Sequence, residues 1–186
     1  MRILNRPAVT AMCAILTVWL TAVSAHTQNR ASSQNGHLIA PAELAKFLPE
    51  PEGWTRSPIR TNQIEISQAC SYTYVSATYT KDDMRIKVTI ADTGAHEEGL
   101  MALAAVVVTL PDGHTDKLPP ATTLVRQKIA DMPAAEMWDA EGSSGEITLV
   151  AAGRFAVVLE AAKADSLETL RGLLRALDVK ALAALK

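Results

Sequence analysis

Apolar residues recur at every second position in several parts of the chain, and this spacing limits the possible folds more than any other feature. In the segment 84–91 the apolar positions are Met84, Ile86, Val88 and Ile90. The same spacing is found in 145–151 and in 154–161, where it includes Ile147, Leu149, Phe155, Val157 and Leu159. A strand with this spacing buries one face, so the chain predicts a mainly antiparallel sheet with a core on one side.

Further strands are predicted from residue type and from the turns between segments. Residues 71–80 are rich in Tyr, Thr and Val, and a short polar turn separates them from 84–91, which indicates a hairpin. Segments 122–129 and 134–140 continue the pattern in the C-terminal half. The total is about six strands.

Two or three helices are predicted beside these strands. A short helix begins at Pro41, and a second helix spans 95–109, with Asp92 or Thr93 as its cap. A third begins near Asp165, with a capping box and a break at Asp178. Its apolar stripe is Leu167, Leu170, Leu173, Leu174 and Leu177, which we interpret as a core face. The predicted fold class is therefore α+β. Its predicted core packs Phe155, Val157 and Leu159 against Ile147, Leu149 and the stripe of Leu167, Leu170 and Leu174.

The N-terminus has the layout of a secretory signal peptide. Arg2 and Arg6 precede an uncharged apolar run, and small residues end it at Val23-Ser24-Ala25. This layout predicts cleavage after residue 25, a disordered polar spacer over 26–39 and one α+β domain over 40–186. The predicted location is the bacterial periplasm or the exterior. The alternative is an uncleaved segment that anchors an envelope structural protein in the membrane.

Charge and cysteine content narrow the possible partners. The chain has 18 basic and 20 acidic residues, and removal of the leader, which holds two arginines and no acid, leaves a formal charge of −4. This charge favours neither nucleic acid nor, after cleavage, a membrane surface.

After the predicted cleavage Cys70 is the single cysteine, so no internal disulfide forms. It is interpreted as a small core residue at the start of a strand, with a reactive thiol as the alternative.

One dense group of candidate metal ligands or acid–base residues is present. Asp92, His96, Glu97 and Glu98 lie close together in the sequence, and the metal candidates among them are Asp92, His96 and Glu97. The competing interpretation is a charged helix start, where acids interact favourably with the helix dipole. His114 is interpreted as a solvated loop residue.

No motif for nucleophilic catalysis or cofactor binding is found, so neither catalytic residues nor a cofactor are predicted. Arg154 is interpreted as an exposed residue of a tight hairpin, with an anion or partner contact as the alternative. The few aromatic residues allow at most one small stacking surface, formed by Tyr72 and Tyr74.

A family-level resemblance covers most of the chain after the leader. Its elements are LPEPEGW (48–54), RIKVTIADTG (85–94), MPAAEMW (132–138), GRFAVVLEA (153–161) and the following DSLETLRGLLRALDVKAL. They resemble small exported bacterial proteins of unknown function, and their order is similar to that of the Mog1/PsbP-like α/β sandwich. The resemblance implies an accessory or binding module and brings no catalytic motif.

The functional prediction is an exported accessory or ligand/protein-binding domain without catalytic activity. Its partner is expected to be an envelope protein or a small ligand. The alternatives are a metal-dependent enzyme or metal-binding protein that uses Asp92, His96 and Glu97, and the membrane-anchored structural protein described above.

Overall fold

A computed structural model describes residues 37–185, except 68–69 and 119–120. Its helices are α1 (Pro41–Ala45), α2 (Glu97–Thr109), α3 (Leu167–Arg175) and α4 (Val179–Ala183). Its strands are β1 (Thr55–Arg56), β2 (Arg60–Ser67), β3 (Cys70–Lys81), β4 (Met84–Asp92), β5 (Thr115–Leu118), β6 (Thr122–Ile129), β7 (Met132–Asp139), β8 (Ser144–Ala151) and β9 (Phe155–Ala162). The predicted α+β class with a mainly antiparallel sheet is confirmed.

All nine strands belong to one antiparallel sheet in the order β1-β3-β4-β9-β8-β7-β6-β5, and β2 also pairs with β3. β1 and β2 share one edge of β3, because its other edge is taken by β4. β4 pairs with β9, which sets Asp92 opposite Phe155 although they lie far apart in the sequence. This pairing joins the two halves of the domain.

The sheet has nine strands in the described residues, whereas the prediction was about six. The additional strands β1, β2 and β5 lie at the two ends of the strand order. β5 is exposed at all four positions, and β2 has the polar sequence RTNQIEIS. Edge strands like these are held by backbone hydrogen bonds and bury few side chains, so they lack the apolar alternation that predicts a strand.

The main core lies on one face of the sheet, as predicted. Phe155, Val157 and Leu159 are fully buried there. They cluster with Ile147 and Leu149 of β8, with Leu44 of α1, with Leu170 and Leu174 of α3, and with Leu182 of α4. Leu167 is only partly buried against this core. Three helices therefore cover this face.

The predicted break in the last helix is confirmed at Asp178. This residue caps α4, since its carboxylate accepts a hydrogen bond of 2.9 Å from the Ala181 N–H. The predicted capping box of α3 is wrong, because the cap residue Ser166 makes no side-chain bond to the backbone. Asp165 instead accepts a hydrogen bond from the Thr169 hydroxyl, so its carboxylate bonds a side chain rather than a backbone N–H group of the helix.

Helix α2 packs on the opposite face, which we call the outer face. Leu100, Ala104 and Val107 of α2 form a second, smaller cluster with Ala135, Val150 and Ala156 of β7, β8 and β9. The helix is distorted at Ala104, where φ is −143° and ψ is 35°. Because α2 covers only part of this face, the strands beside it keep an open surface.

The predicted leader, residues 1–25, lies outside the described residues, as does the predicted spacer through residue 36. Of the predicted spacer, His37 and Ile39 are held by hydrogen bonds to the domain through Arg154 and Asp92. In the part of the chain that the structure describes, no helix is long and apolar enough to cross a membrane.

Gly145 and Gly172 allow a matched test of the packing between β7 and β8. A Cβ at Gly145 would lie 2.6 Å from the Met137 carbonyl oxygen and 2.6 Å from the Trp138 ring, whereas a Cβ at Gly172 meets nothing closer than 3.8 Å. Gly145→Ala is therefore expected to destabilise the domain by about 1–3 kcal/mol. Gly172→Ala, within α3, should stabilise it by about 0.5–1 kcal/mol. Urea unfolding measures both, and equal effects would contradict the described β7–β8 packing.

Candidate functional site

The carboxylate of Asp92, a predicted metal ligand, is fully buried at the end of β4. Its two oxygens accept hydrogen bonds from Nε and Nη2 of Arg154, both at 2.7 Å. The backbone N–H groups of Gly94 and Ile39 donate to the same oxygens at 2.9 and 2.7 Å. Four donors therefore satisfy this carboxylate. The predicted cap of α2 by Asp92 or Thr93 is wrong, because the cap residue is His96.

The other two predicted ligands lie at the start of α2. His96 is the cap residue of the helix and is half-buried, and Glu97 is an exposed residue of its first turn. Among the residues that the structure describes, no three His, Cys, Asp or Glu side chains are placed to hold a metal ion. The structure thus does not bring Asp92, His96 and Glu97 together as a ligand set.

Metal titration tests this arrangement directly. Because Asp92 already accepts four hydrogen bonds in a buried position, we expect no binding heat when Zn²⁺, Ca²⁺ or Mn²⁺ is added to the protein at sub-millimolar concentration. His96→Ala is the control and should give the same flat titration. Saturable heat that is lost in His96→Ala would show a metal site at this position.

The prediction that Arg154 is exposed is wrong. Only 14% of its side chain is accessible, and besides Asp92 it bonds the His37 carbonyl oxygen at 2.8 Å. The hydrogen bond to Asp92 raises the pKa of Arg154 above its ordinary value. Arg154 immediately precedes β9, and the pairing of β4 with β9 carries it to Asp92. The ion pair therefore fixes residues 37–39 to the sheet.

The other buried charged side chains of the described residues also have partners. Glu136 is 2% exposed and binds Arg171 of α3, with Nε at 2.8 Å and Nη2 at 2.5 Å from its oxygens. Arg126 is buried and donates to the carbonyl oxygens of Val107 and Ala134 at 2.9 and 3.1 Å. Each of these groups connects two elements, so we interpret them as structural.

A groove of about 660 Å³ lies on the outer face beside α2. Its residues lie in the segment that precedes β2, on the strands β2, β3 and β4, and on α2. They are Ser57, Pro58, Arg60, Ile64, Tyr72, Tyr74, Ser76, Ala77, Thr78, Lys87, Thr89 and Leu103. This volume is within the range of about 300–1,000 Å³ that is typical of small-molecule sites.

Tyr72 and Tyr74 form the aromatic part of the groove. They occupy alternate positions of β3, so both lie on the outer face. Their ring centroids are 6.3 Å apart with the planes tilted by 36°. The sequence predicted this pair as the one possible aromatic surface, and the structure places it in the groove.

The polar groups of the groove are cationic or neutral. Arg60 and Lys87 line it, and no carboxylate does so among the residues that the structure describes. Lys87 pairs with Glu160 on β9 at 2.8 Å, whereas Arg60 has no ion pair within the described ranges. Thr89 adds a buried hydroxyl that has no hydrogen-bond partner among the described residues. A buried hydroxyl without a partner costs free energy, but the Thr89 oxygen is inaccessible in this structure and is not counted among the contacts that the groove offers.

Sequence reasoning missed most of this groove. Arg60 and Ile64 lie on β2, which was not predicted as a strand, and Thr89 was only one polar position in an alternating segment. Leu103 lies on α2, where it is partly buried. The tyrosine pair was the only signal that pointed to this surface.

No known family model matches the chain, and no curated protein or solved structure matches it either. The similarity to the Mog1/PsbP-like sandwich therefore stays a prediction.

Proposed function

We propose that the chain is an exported, non-catalytic accessory domain that binds a small ligand in the outer-face groove. The observation that carries the proposal is the composition of this groove. It combines a tyrosine pair, apolar side chains from β2 and α2, and a few polar groups in a space of about 660 Å³. Such a combination is typical of sites that bind a ligand through apolar contact and orient it through few polar contacts.

The polar chemistry of the groove supports binding rather than turnover. Its polar side chains are hydroxyls, an arginine and a lysine, and the described lining residues include neither a histidine nor a carboxylate. Proton transfer near neutral pH usually relies on one of the latter two types. The buried carboxylates of Asp92 and Glu136 are each bonded to an arginine. We therefore propose a role in holding or presenting a ligand, consistent with the accessory modules that the sequence resembles.

Ligand retention tests this proposal. The purified exported protein is mixed with a small-molecule extract of a bacterial envelope and separated by gel filtration, and bound compounds are identified by mass spectrometry. We expect one compound class to be retained in about equimolar amount and recovered unchanged. Thr78→Trp, which fills the groove, should abolish retention. Leu118→Trp on the exposed strand β5 is the matched control and should retain it.

Each other outcome contradicts a named part of the proposal. Equal retention by Thr78→Trp would place the site elsewhere, and conversion of the retained compound would show catalysis. Retention of no compound would count against small-ligand binding.

The proposed export depends on the predicted leader. Mass spectrometry of the protein recovered from the expressing bacterium is expected to show an N-terminus at His26. An intact N-terminus at Met1 in the membrane fraction would instead support the alternative of an anchored envelope protein.

A further inference from the structure

We infer that the groove selects an anionic ligand with a flat apolar body, such as an aromatic carboxylate. This inference rests on the proposed function, because it takes the groove as the binding site. It adds the chemical class of the ligand, which follows from the charges and rings that surround the groove.

The charge of the lining favours an anion. Arg60 is exposed at the start of β2 and has no ion pair within the described residues, so its guanidinium is available to a carboxylate. Arginine suits this role because its planar donors match the two oxygens of a carboxylate. Lys87 contributes less, because it is shared with Glu160 at 2.8 Å. Arg60 is therefore the residue expected to discriminate charged from neutral ligands.

The apolar surface of the groove favours a flat body. Tyr72 and Tyr74 line the groove with aromatic rings, and Leu103 and Ile64 add aliphatic surface. Aromatic rings at offset or tilted geometry provide favourable contact for a second flat ring. Ser76 and Thr78 of β3 and Thr89 of β4 also line the groove. A ring that carries one negative group can contact this apolar surface and pair with Arg60.

Two fluorescent dyes that differ by one anionic group provide the test. 8-Anilino-1-naphthalenesulfonate carries a sulfonate, and N-phenyl-1-naphthylamine is the same aromatic body without it. We expect Arg60→Gln to lower the affinity for the sulfonate dye by about tenfold, which is the usual loss for one charge-assisted hydrogen bond. The affinity for the neutral dye should fall by less than about twofold. Tyr74→Ala should lower the affinity for both dyes, and Thr78→Trp should also lower both affinities, because its side chain fills the groove.

A control variant excludes binding to the exposed surface of α2. Met101, Val106 and Val108 of this helix are 38%, 39% and 42% exposed, and an apolar dye can adsorb to such a surface. Val106→Ser is therefore expected to leave both affinities unchanged.

A displacement experiment tests the same charge preference with a carboxylate. In the unmodified protein, naphthalene-2-carboxylate should displace the sulfonate dye, and the matched naphthalene-2-carboxamide should do so at least about fivefold less well.

The remaining outcomes separate this inference from the proposed function. If Arg60→Gln leaves the sulfonate dye unaffected while Tyr74→Ala and Thr78→Trp weaken both dyes, the anion preference is wrong and the groove remains the site. If Val106→Ser removes binding and the groove variants do not, both the inference and the proposed site are overturned. Equal displacement by the carboxylate and the carboxamide would also overturn the anion preference.

Discussion

Arg154→Met is expected to destabilise the domain by about 3–5 kcal/mol, because it leaves the fully buried carboxylate of Asp92 without its charged partner. The two hydrogen bonds of 2.7 Å to Asp92 are lost, as is the bond to the His37 carbonyl oxygen. The N–H groups of Gly94 and Ile39 still donate to the carboxylate, but they do not supply a positive charge. Urea unfolding at pH 7 measures the loss as a lower midpoint at constant slope.

Two further variants make this expectation specific. Arg85→Met removes an exposed arginine of the same sheet, so it should change the free energy of unfolding by less than about 0.5 kcal/mol. The double variant Asp92→Asn/Arg154→Met removes both charges, so it should be more stable than Arg154→Met alone. A loss below about 1 kcal/mol in Arg154→Met would show that Arg154 behaves as the exposed hairpin residue that its sequence position suggests.

The contrast between Arg154 and the strand core shows which part of the fold can be predicted from the sequence. The alternation in β4, β8 and β9 is a local property, because each strand buries one face whatever its neighbours are. The partner of each strand is not local. β4 pairs with β9 across much of the sequence, and only this pairing brings Arg154 to Asp92. A candidate metal ligand and a candidate exposed arginine are therefore partners in one buried ion pair.

The groove could be predicted less well than the core, and the reason is also physical. Its residues come from the outer face of β3 and β4, from an edge strand and from one side of α2. Polar positions of an alternating strand look alike in sequence whether they line a groove or face open solvent. Tyr72 and Tyr74 were exceptions, since two aromatic residues at alternate positions mark one face of a strand. Arg60 gave no such signal because β2 lacks an apolar pattern.

The C-terminal helix shows the opposite case, in which a local pattern predicted a long-range contact. Its leucines recur at three- and four-residue spacing, and the connections between β8, β9 and α3 are short. These two facts place the leucine stripe on the sheet without knowledge of the remaining strand order. Leu170, Leu173 and Leu174 are buried in the main core, as predicted, whereas Leu167 at the helix start is only partly buried.

Leu170→Ala is accordingly expected to destabilise the domain by about 2–5 kcal/mol, as is typical of a buried leucine whose removal leaves a cavity. Leu170 is fully buried against the strands that carry Phe155 and Leu149. Because Cys70 is the only cysteine after the predicted leader, no internal disulfide compensates, and the loss should appear as a lower melting temperature. Leu118→Ala is the matched control, since Leu118 is 40% exposed on β5 and should cost less than about 0.5 kcal/mol. Equal melting temperatures for the two variants would contradict the packing of α3 on the sheet and would indicate that its leucine stripe contacts a partner instead.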